Sequence, residues 1–273
     1  MQSLYCKKND KMKQSFLLVI ISIILINIGF SQETHTFTET DKKALEKVIV
    51  EKYYVAQSKD VKDTVGGVLA KKSVTYRVYV DLLPGYKLQT VWGSEEQPLF
   101  FKTSTYFYNN INGATTGDDL FDTISFKKNN VLLDSWISMG AVTRFYNAVL
   151  LSEDVDGSIF NHKQALLQKD GLQYRDVYRT VYFNLDLTPL EKRTKSQIFA
   201  TNNGAWANFM GAQGATPENR ILIAQFTTNG EFSFECNIQV GTPAGEAIQF
   251  VARNPQGEQV QHQSLIFSSK HLK

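Results

Sequence analysis

An alternation of apolar and polar residues with a period of two runs through most of this chain and limits it to extended structure. In the segment SVTYRVYVDL, one side of an extended backbone carries four apolar residues, Val74, Tyr76, Val78 and Val80. Because successive side chains of a strand point to opposite faces of a sheet, the pattern predicts a strand. The turn residues Pro84 and Gly85 follow, and the alternation resumes in YKLQTVW.

Further segments repeat this pattern, and two of the intervening turns predict hairpins. PLFFKTSTYFYNN and NVLLDSWISMG are each expected to be a strand. The runs NRILIAQFTT and EFSFECNIQV are joined by Asn229-Gly230, which is typical of a two-residue hairpin turn. EAIQFVAR and EQVQHQSLIF, joined through residues 254–257, predict a second hairpin.

Helix signals are few and short. Thr40 is a candidate N-cap for DKKALEKV, and NHKQALLQK and PLEKRTK are each long enough for two turns. All three lie between strand patterns, which argues against a series of β-α-β units. We therefore expect an all-β fold, an antiparallel β-sandwich of jelly-roll type with a few short helices, over residues 33–273 as a single domain. Two smaller sandwiches that divide near Gly171 are the alternative.

The N-terminal thirty residues have the composition of a secretory leader. Four lysines precede the apolar run FLLVIISIILINIGF, which spans residues 16–30. As a helix this run is about 22 Å long, shorter than the ~30 Å hydrocarbon core of a bilayer. We expect residues 1–32 to be a cleaved signal peptide and the mature chain, without a membrane span, to be exported: secreted, at the cell surface or periplasmic. An uncleaved membrane anchor is the alternative.

Removal of that leader changes both the charge and the cysteine count. The 29 basic and 27 acidic residues of the chain become 25 and 26, so the net charge changes from +2 to about −1. A nearly neutral protein offers little attraction to nucleic acid, which is therefore not expected as a partner. Cys236 is then the one remaining cysteine, which rules out an intramolecular disulfide.

Acidic residues are the remaining candidates for catalysis, because the motifs of common hydrolases are missing. The sequence has no G-x-S-x-G, no HExxH and no glycine-rich phosphate loop. Asp134 lies among apolar residues in LLDSW, where burial would raise its pKa and suit it to general acid catalysis. Glycoside hydrolysis needs a second carboxylate about 5–9 Å away, for which Asp81 and Glu51 are the candidates. The alternative is a structural Asp134, on an edge strand or paired with Arg77.

An acidic loop is the candidate for a metal site. Glu153, Asp154 and Asp156 precede Gly157, as acidic residues do in the first half of an EF-hand loop. Lys163 stands where such a loop needs a bidentate Glu, so the segment is not an EF-hand. A weak Ca²⁺ site built from the three acidic residues is one interpretation, and a simple Asp-Gly turn is the other. No other cofactor is predicted.

Aromatic residues beside amides form the candidate ligand site. In STYFYNN, alternation puts Tyr106 and Tyr108 on one face and Phe107 on the opposite, inward face. Asn109 follows them, and Trp206 lies in NNGAWAN. Because flat aromatic faces beside amides can hold sugar rings, Tyr106, Tyr108, Asn109 and Trp206 are predicted to bind a ligand. The alternative is that the aromatic side chains fill the sandwich core.

Five segments occur in order between about Tyr53 and Gln249: VTYRVYVDLLPGYKLQTVWG, TSTYFYNN, LLDSWISMGA, NNGAWAN and NRILIAQFTTNGEFSFECNIQV. Taken together they resemble a poorly characterised family of secreted, β-rich surface or exported proteins of Bacteroidota-type bacteria. The resemblance implies an exported location and a β-rich architecture. It implies no particular activity.

These features predict a non-catalytic exported β-domain for cell-surface adhesion or ligand binding, with a glycan or a surface protein as its partner. A secreted hydrolase or lyase that acts on polysaccharides through acidic residues is the first alternative. The second is an envelope-structural or assembly protein whose exposed strand edges pair with partners.

Overall fold

The computed structural model describes residues 36–120, 130–144, 146–153 and 179–271. Most of the regular structure in these ranges is β-strand, in several antiparallel and mixed sheets, with only short helical turns between the strands. The predicted all-β, sandwich-like fold is therefore confirmed. Residues Glu39–Lys273 form one unit, and Met1–Thr38 form another, of which only 36–38 are described.

The strands are short to medium in length and are numbered in chain order. The first part of the described chain contains β1 (Leu45–Val55), β2 (Val74–Leu82), β3 (Lys87–Trp92), β4 (Leu99–Thr103), β5 (Trp136–Ile137), β6 (Ala141–Thr143) and β7 (Tyr146–Asn147). The last part contains β8 (Val181–Phe183), β9 (Ile198–Thr201), β10 (Ala205–Ala212), β11 (Arg220–Thr228), β12 (Phe232–Glu235), β13 (Asn237–Gly241), β14 (Ala247–Val251), β15 (Val260–Gln261) and β16 (Ile266–Ser268). The α-helix α1 covers Ser58–Lys62, and 3₁₀ turns cover Asp41–Lys43, Gly117–Asp119, Val131–Leu133, Leu151–Glu153, Thr188–Leu190, Gln263–Leu265 and Ser269–His271.

Three main sheets arise from these strands. The first sheet has the order β1-β2-β11-β5, the second β15-β14-β13-β3-β10-β8, and the third β16-β12-β4-β9, while β6 pairs with β7. Neighbouring strands in the sheets are antiparallel, apart from the parallel pair β14 and β15. No helix within the described ranges combines the length and the apolar character that a membrane crossing requires.

β2 lies at the centre of the first sheet, and both of its faces are buried. It pairs with β1 on one side and with β11 on the other. From one face, Tyr76 stacks on Phe232 of β12 at 5.0 Å between ring centres. From the other face, Tyr79 enters a second apolar cluster and donates a hydrogen bond to the carbonyl oxygen of Val149 at 2.8 Å. Layers therefore cover the first sheet on both sides.

Phe101 of β4 joins the three sheets in an aromatic core. Its ring centre lies 4.9 Å from Phe226 of β11, 6.3 Å from Trp206 of β10 and 5.2 Å from Phe234 of β12. All four side chains are buried. Burial of a large apolar side chain contributes roughly 1.5–3 kcal/mol relative to exposure, so this cluster is a main source of cohesion between the sheets.

The predicted hairpin at Asn229-Gly230 is wrong, although the chain bends there. β11 belongs to the first sheet, whereas β12 belongs to the third and pairs with β4 and β16. A Cβ at Gly230 would lie 2.6–2.7 Å from the hydroxyl oxygens of Thr103, Ser104 and Thr105. Since β2 and β5 already occupy both edges of β11, the bend carries the chain across to the next sheet.

The second predicted hairpin and the predicted helices also differ from the structure. β14 and β15 pair in parallel, so residues 254–257 do not close an antiparallel hairpin. DKKALEKV forms only the 3₁₀ turn Asp41–Lys43 before it enters β1, because pairing with β2 outweighs a weak helix propensity. PLEKRTK retains only the 3₁₀ turn Thr188–Leu190. NHKQALLQK and Gly171 lie outside the described residues.

Candidate functional site

A cavity of about 360 Å³ opens where three segments of the chain meet. The first segment contributes Thr64, Gly67 and Val68, the second is 106–109, and the third is 193–195. We call this site the tyrosine cavity. The structure thus brings three of the four predicted ligand residues together: Tyr106, Tyr108 and Asn109.

Phe107 anchors the second segment to the aromatic core. Its side chain is fully buried, and its ring centre lies 4.5 Å from that of Phe226. Tyr106 and Tyr108 lie on the cavity side, with the alternation that the sequence indicates, although β4 ends at Thr103 and the segment is not a strand. Tyr106 is partly exposed, whereas Tyr108 is only 3% exposed and packs in the second apolar cluster, so it lines the cavity without presenting an exposed ring face.

Gly67 allows the first segment to approach the tyrosines closely. Its φ is +146°, and a Cβ there would lie 3.1 Å from the carbonyl oxygen of Asn109 and 3.3 Å from the ring of Tyr108. Any larger residue would be strained and would press on the cavity wall. The adjacent carbonyl oxygen of Gly66 accepts a hydrogen bond from the N–H of Ile111 at 2.7 Å, which ties the first segment to the second.

Asn109 holds the third segment in place. Its Nδ2 donates to the carbonyl oxygens of Pro189 at 2.8 Å and Thr194 at 3.0 Å. Between them in the chain, Arg193 has a φ of +59°, a left-handed conformation that is unfavourable for a residue with a Cβ. Its Nη2 donates to the carbonyl oxygen of Val65 at 3.1 Å, which joins the third segment to the first.

The tyrosine cavity carries positive charge. Arg193 and Lys195 are its charged lining residues, and no carboxylate lies among the described residues that line it. The Nζ of Lys195 lies 5.2 Å from the centre of the Tyr106 ring, a cation–π arrangement. Burial raises the pKa of Tyr108 to about 12, and its hydroxyl accepts a hydrogen bond from Nδ2 of Asn110 at 2.9 Å. Tyr108 is therefore neutral at pH 7 and adds no negative charge to the cavity, and the nearby carboxylate of Asp63 does not line it.

A second cavity, of about 440 Å³, follows along the same two stretches of chain. It is lined by residues 113–115 and 190–192, which adjoin the second and third segments of the tyrosine cavity. Its charged lining residues are Asp119, Glu191 and Lys192, so that both signs of charge are present. The charged residues that line the tyrosine cavity are therefore all cations, whereas those of the second cavity are of both signs.

Asp134 holds the loop that connects the two cavities. Its Oδ1 accepts a hydrogen bond from the N–H of Asn110 at 2.7 Å, and its Oδ2 accepts one from the N–H of Ala114 at 3.0 Å. Burial raises the pKa of this carboxyl well above its ordinary value, although the backbone donors and Lys192 oppose the shift. The predicted strand NVLLDSWISMG is a 3₁₀ turn followed by the two-residue β5, which places Asp134 outside the sheet.

Asp81 and Glu51 are not brought together with Asp134. In the first sheet, β2 and β11 separate β1 from β5, which puts Glu51 about 14 Å from the β5 edge at about 4.8 Å per strand. Asp81 forms an ion pair with Arg220 at 3.5 Å, and Glu51 accepts a hydrogen bond from the N–H of Leu151 at 2.6 Å. The separation of about 5–9 Å that glycoside hydrolysis requires is therefore not formed with Asp134.

Glu153 is the one predicted calcium ligand in the described part of the chain, since Asp154 and Asp156 lie outside it. Its Oε1 accepts a hydrogen bond from Nη1 of Arg220 at 2.6 Å, and its Oε2 accepts a backbone N–H at the start of its own 3₁₀ turn. Glu153 thus forms an ion pair with Arg220 and caps its own 3₁₀ turn. Across the described residues, no three His, Cys, Asp or Glu side chains are grouped so that they could hold a metal ion.

Trp206, the fourth predicted ligand residue, belongs to the aromatic core. It is fully buried, its ring centre lies 6.0 Å from that of Phe199, and its indole N–H donates to the carbonyl oxygen of Ser138 at 2.9 Å. A ring in this position cannot present a face to a ligand, which corrects the prediction for Trp206. The alternative, that aromatic side chains fill the core, holds at this residue.

The third segment of the site is the part that the sequence did not reveal. PLEKRTK is compatible with a short helix, and its pattern does not indicate the left-handed conformation of Arg193. The available signal was its charge, because Lys192, Arg193 and Lys195 lie within four residues, shortly after Pro189.

Comparisons of the chain with protein-family models, with curated proteins and with solved structures find no match. Fold and site together define a β-sandwich-like protein with a cationic, tyrosine-lined cavity. That cavity is the feature from which a function is inferred.

Proposed function

We propose that the protein is a non-catalytic domain that binds a glycan in the tyrosine cavity. The observation that carries this proposal is the convergence of Tyr106, Asn109 and two cations on one concave site of about 360 Å³. Ligand pockets have volumes of about 300–1,000 Å³ and combine aromatic surface with a few fixed polar groups. A sugar ring offers C–H faces to an aromatic ring and hydroxyls to such polar groups, so it matches this lining.

The acidic residues favour binding over catalysis. Asp134 lines neither cavity and is engaged with backbone N–H groups, while Asp81 and Glu51 have contacts of their own in the first sheet. A glycosidase needs an acid and a second carboxylate on opposite sides of one bond. The described residues of the tyrosine cavity supply neither, because none of them is a carboxylate.

We also propose that the domain is exported. The lysines and the apolar run at residues 16–30 have the layout of a secretory leader. The resemblance to secreted β-rich surface proteins supports the same location. The glycan is then expected on a cell surface or in the surrounding polysaccharide.

A glycan array followed by isothermal titration calorimetry tests this function. We expect at least one glycan to bind and Tyr106→Ala to weaken it about tenfold or more, which corresponds to about 1.4 kcal/mol. Phe209→Ala is the matched control, because Phe209 is an exposed aromatic residue of β10 that does not line the cavity. A broad array without binding, or full affinity in Tyr106→Ala, would contradict the proposal.

An exposed apolar patch supports a second candidate function, assembly with a second copy of the chain. Phe209 and Met210 are 73% and 78% exposed, and the ring centre of Phe209 lies 5.8 Å from Phe183 in β8, at the edge of the second sheet. Apolar patches and edge strands are typical of protein interfaces. Sedimentation of the wild-type protein and Phe209→Ser tests self-assembly. Monomers in both samples would contradict it.

A further inference from the structure

We propose that the tyrosine cavity selects acidic saccharides, with Arg193 and Lys195 binding a carboxylate or sulfate on a sugar that packs against Tyr106. This inference rests on the proposed glycan-binding function and names the class of glycan. Its support comes from the charge of the cavity, from the position of Lys195 over Tyr106, and from an unsatisfied acceptor on Asn109.

The two cations of the cavity have donors available for an anion. Both side chains are exposed, and neither forms an ion pair with a described residue. Arg193 uses Nη2 for its bond to Val65 at 3.1 Å, and a guanidinium has five N–H donors in all. Bonds from such donors to a carboxylate or sulfate are shorter and stronger than those to a neutral acceptor. A neutral sugar would not form these stronger, charge-assisted hydrogen bonds.

Lys195 is positioned so that an anion on a stacked sugar comes within its reach. Its Nζ lies 5.2 Å from the centre of the Tyr106 ring. A sugar whose C–H face packs on that ring takes the place of this exposed ammonium group, which then lies beside the substituents of the sugar. Val68, which is 58% exposed in the first segment, adds apolar surface at the same cavity. The cavity thus offers contacts to an apolar ring face and to a charged substituent.

Asn109, which lines the cavity, carries an acceptor that a hydroxyl donor of the ligand would satisfy. Its Oδ1 is buried and has no hydrogen-bond partner among the described residues. The orientation of the amide is fixed, because Nδ2 faces the carbonyl oxygens of Pro189 and Thr194, where an oxygen would be repelled. A buried acceptor gains when it receives a donor, and the hydroxyls of a sugar are such donors. A saccharide with an acidic group offers both an anion to the two cations and hydroxyl donors to Asn109. A simple anion offers only the anion.

The test is a comparison of acidic glycans with neutral derivatives of the same glycans. The purified protein is first applied to an array of neutral, uronate-containing and sulfated glycans. The best acidic ligand is then titrated beside its methyl ester or its desulfated form. We expect binding to be confined largely to acidic glycans and the neutral form to bind about tenfold more weakly. The arm that binds, uronate or sulfate, identifies the anionic group.

Three variants assign the selectivity to the cavity. Lys195→Gln and Arg193→Gln are each expected to reduce affinity for the acidic glycan about tenfold and to reduce affinity for its neutral form by a smaller factor. Lys270→Gln removes the same charge from an exposed residue outside the cavity and should have no effect. Circular dichroism and thermal unfolding confirm that each variant is folded.

The possible results separate this inference from the function on which it rests. Equal affinity for acidic and neutral forms, unchanged by Lys195→Gln, would overturn the selectivity and leave glycan binding intact. Binding of inorganic sulfate as tight as that of the sulfated glycan would overturn the role assigned to the hydroxyls. An array without any bound glycan would overturn both proposals.

Discussion

The carboxylate of Asp134 occupies the space into which a side chain at Gly113 would extend. A Cβ at Gly113 would overlap Oδ2 of Asp134, the same oxygen that accepts the N–H of Ala114 at 3.0 Å. The lack of a side chain at residue 113 therefore lets a buried carboxylate reach the backbone of both Asn110 and Ala114. Asp134 lines neither cavity, yet it fixes the loop between them.

Gly113→Ala is expected to lower the free energy of unfolding by about 1–3 kcal/mol, the usual range for overpacking a filled site. Urea denaturation at pH 7 measures this change. In an Asp134→Ala background the overlap is absent, so the same substitution should cost less. The coupling between the two sites should be about 0.5–3 kcal/mol, as for residues in direct contact. Additive effects would show that the two residues do not compete for this space.

Asp134 also predicts how stability depends on pH. Because burial raises its pKa in the folded protein, the folded state retains a proton over a range in which the unfolded chain has lost it. The associated stability is fully present below the unfolded pKa of about 3.9 and is lost as the pH rises through the folded pKa. Glu51, whose pKa burial also raises, acts with the same sign.

Urea denaturation of the wild-type protein and Asp134→Asn between pH 4 and pH 8 measures this contribution. The wild-type free energy of unfolding should include a component that decreases as the pH rises. Asn does not titrate, so this component should be missing from the variant. Parallel pH profiles for the two proteins would mean that Asp134 does not retain its proton.

The parts of the fold that were predictable are local. Alternation identifies β2 and places Tyr106 and Tyr108 opposite the buried Phe107, because the period of two is a property of any extended chain. The side chains alternate in this way at residues 106–108 although these residues belong to no strand. The same periodicity cannot tell a core position from a ligand site, and Trp206, a predicted ligand residue, lies in the core.

The parts that were not predictable depend on contacts between distant residues. Asn229-Gly230 has the composition of a hairpin turn, but β12 pairs with β4, more than a hundred residues earlier in the chain. In the site, the left-handed Arg193 is held by the bonds from Asn109 to Pro189 and Thr194. No pattern within PLEKRTK encodes these contacts.

Phe101→Ala is expected to destabilise the protein by about 3–5 kcal/mol, the range for removal of a buried phenylalanine. The loss is large because Phe101 touches rings from all three sheets. The void that the substitution leaves therefore cannot close by the movement of one strand. Chemical denaturation measures it. Phe209→Ala removes the same atoms from an exposed position and should change stability by less than about 0.5 kcal/mol. Similar losses for the two variants would contradict this account of the core.

Arg77 is the centre of a buried polar contact whose removal should also be costly. Its Nε donates to Oε1 of Gln225 at 2.8 Å, and its guanidinium carbon lies 3.5 Å from the centre of the Tyr53 ring. Arg77→Met should lower the free energy of unfolding by about 1–3 kcal/mol, because it leaves Oε1 of Gln225 buried without its hydrogen-bond donor. Arg77→Lys should recover only part of this, since an ammonium group cannot reproduce the planar contact with Tyr53. Full recovery in thermal unfolding would show that charge alone is needed.

Asn109 predicts a local effect that is separate from global stability. Asn109→Ala removes the donor to the carbonyl oxygens of Pro189 and Thr194, so the third segment of the cavity loses its attachment. The N–H of Thr194, which donates to Glu191 at 3.0 Å, should then exchange with deuterium about tenfold faster, as expected for a loss of about 1–1.5 kcal/mol. Glycan affinity should fall in parallel. Asn208→Ala, which removes two side-chain hydrogen bonds outside the cavity, should alter neither. Unchanged exchange at Thr194 would contradict the positioning role of Asn109 and leave only the contact of its Oδ1 with the ligand.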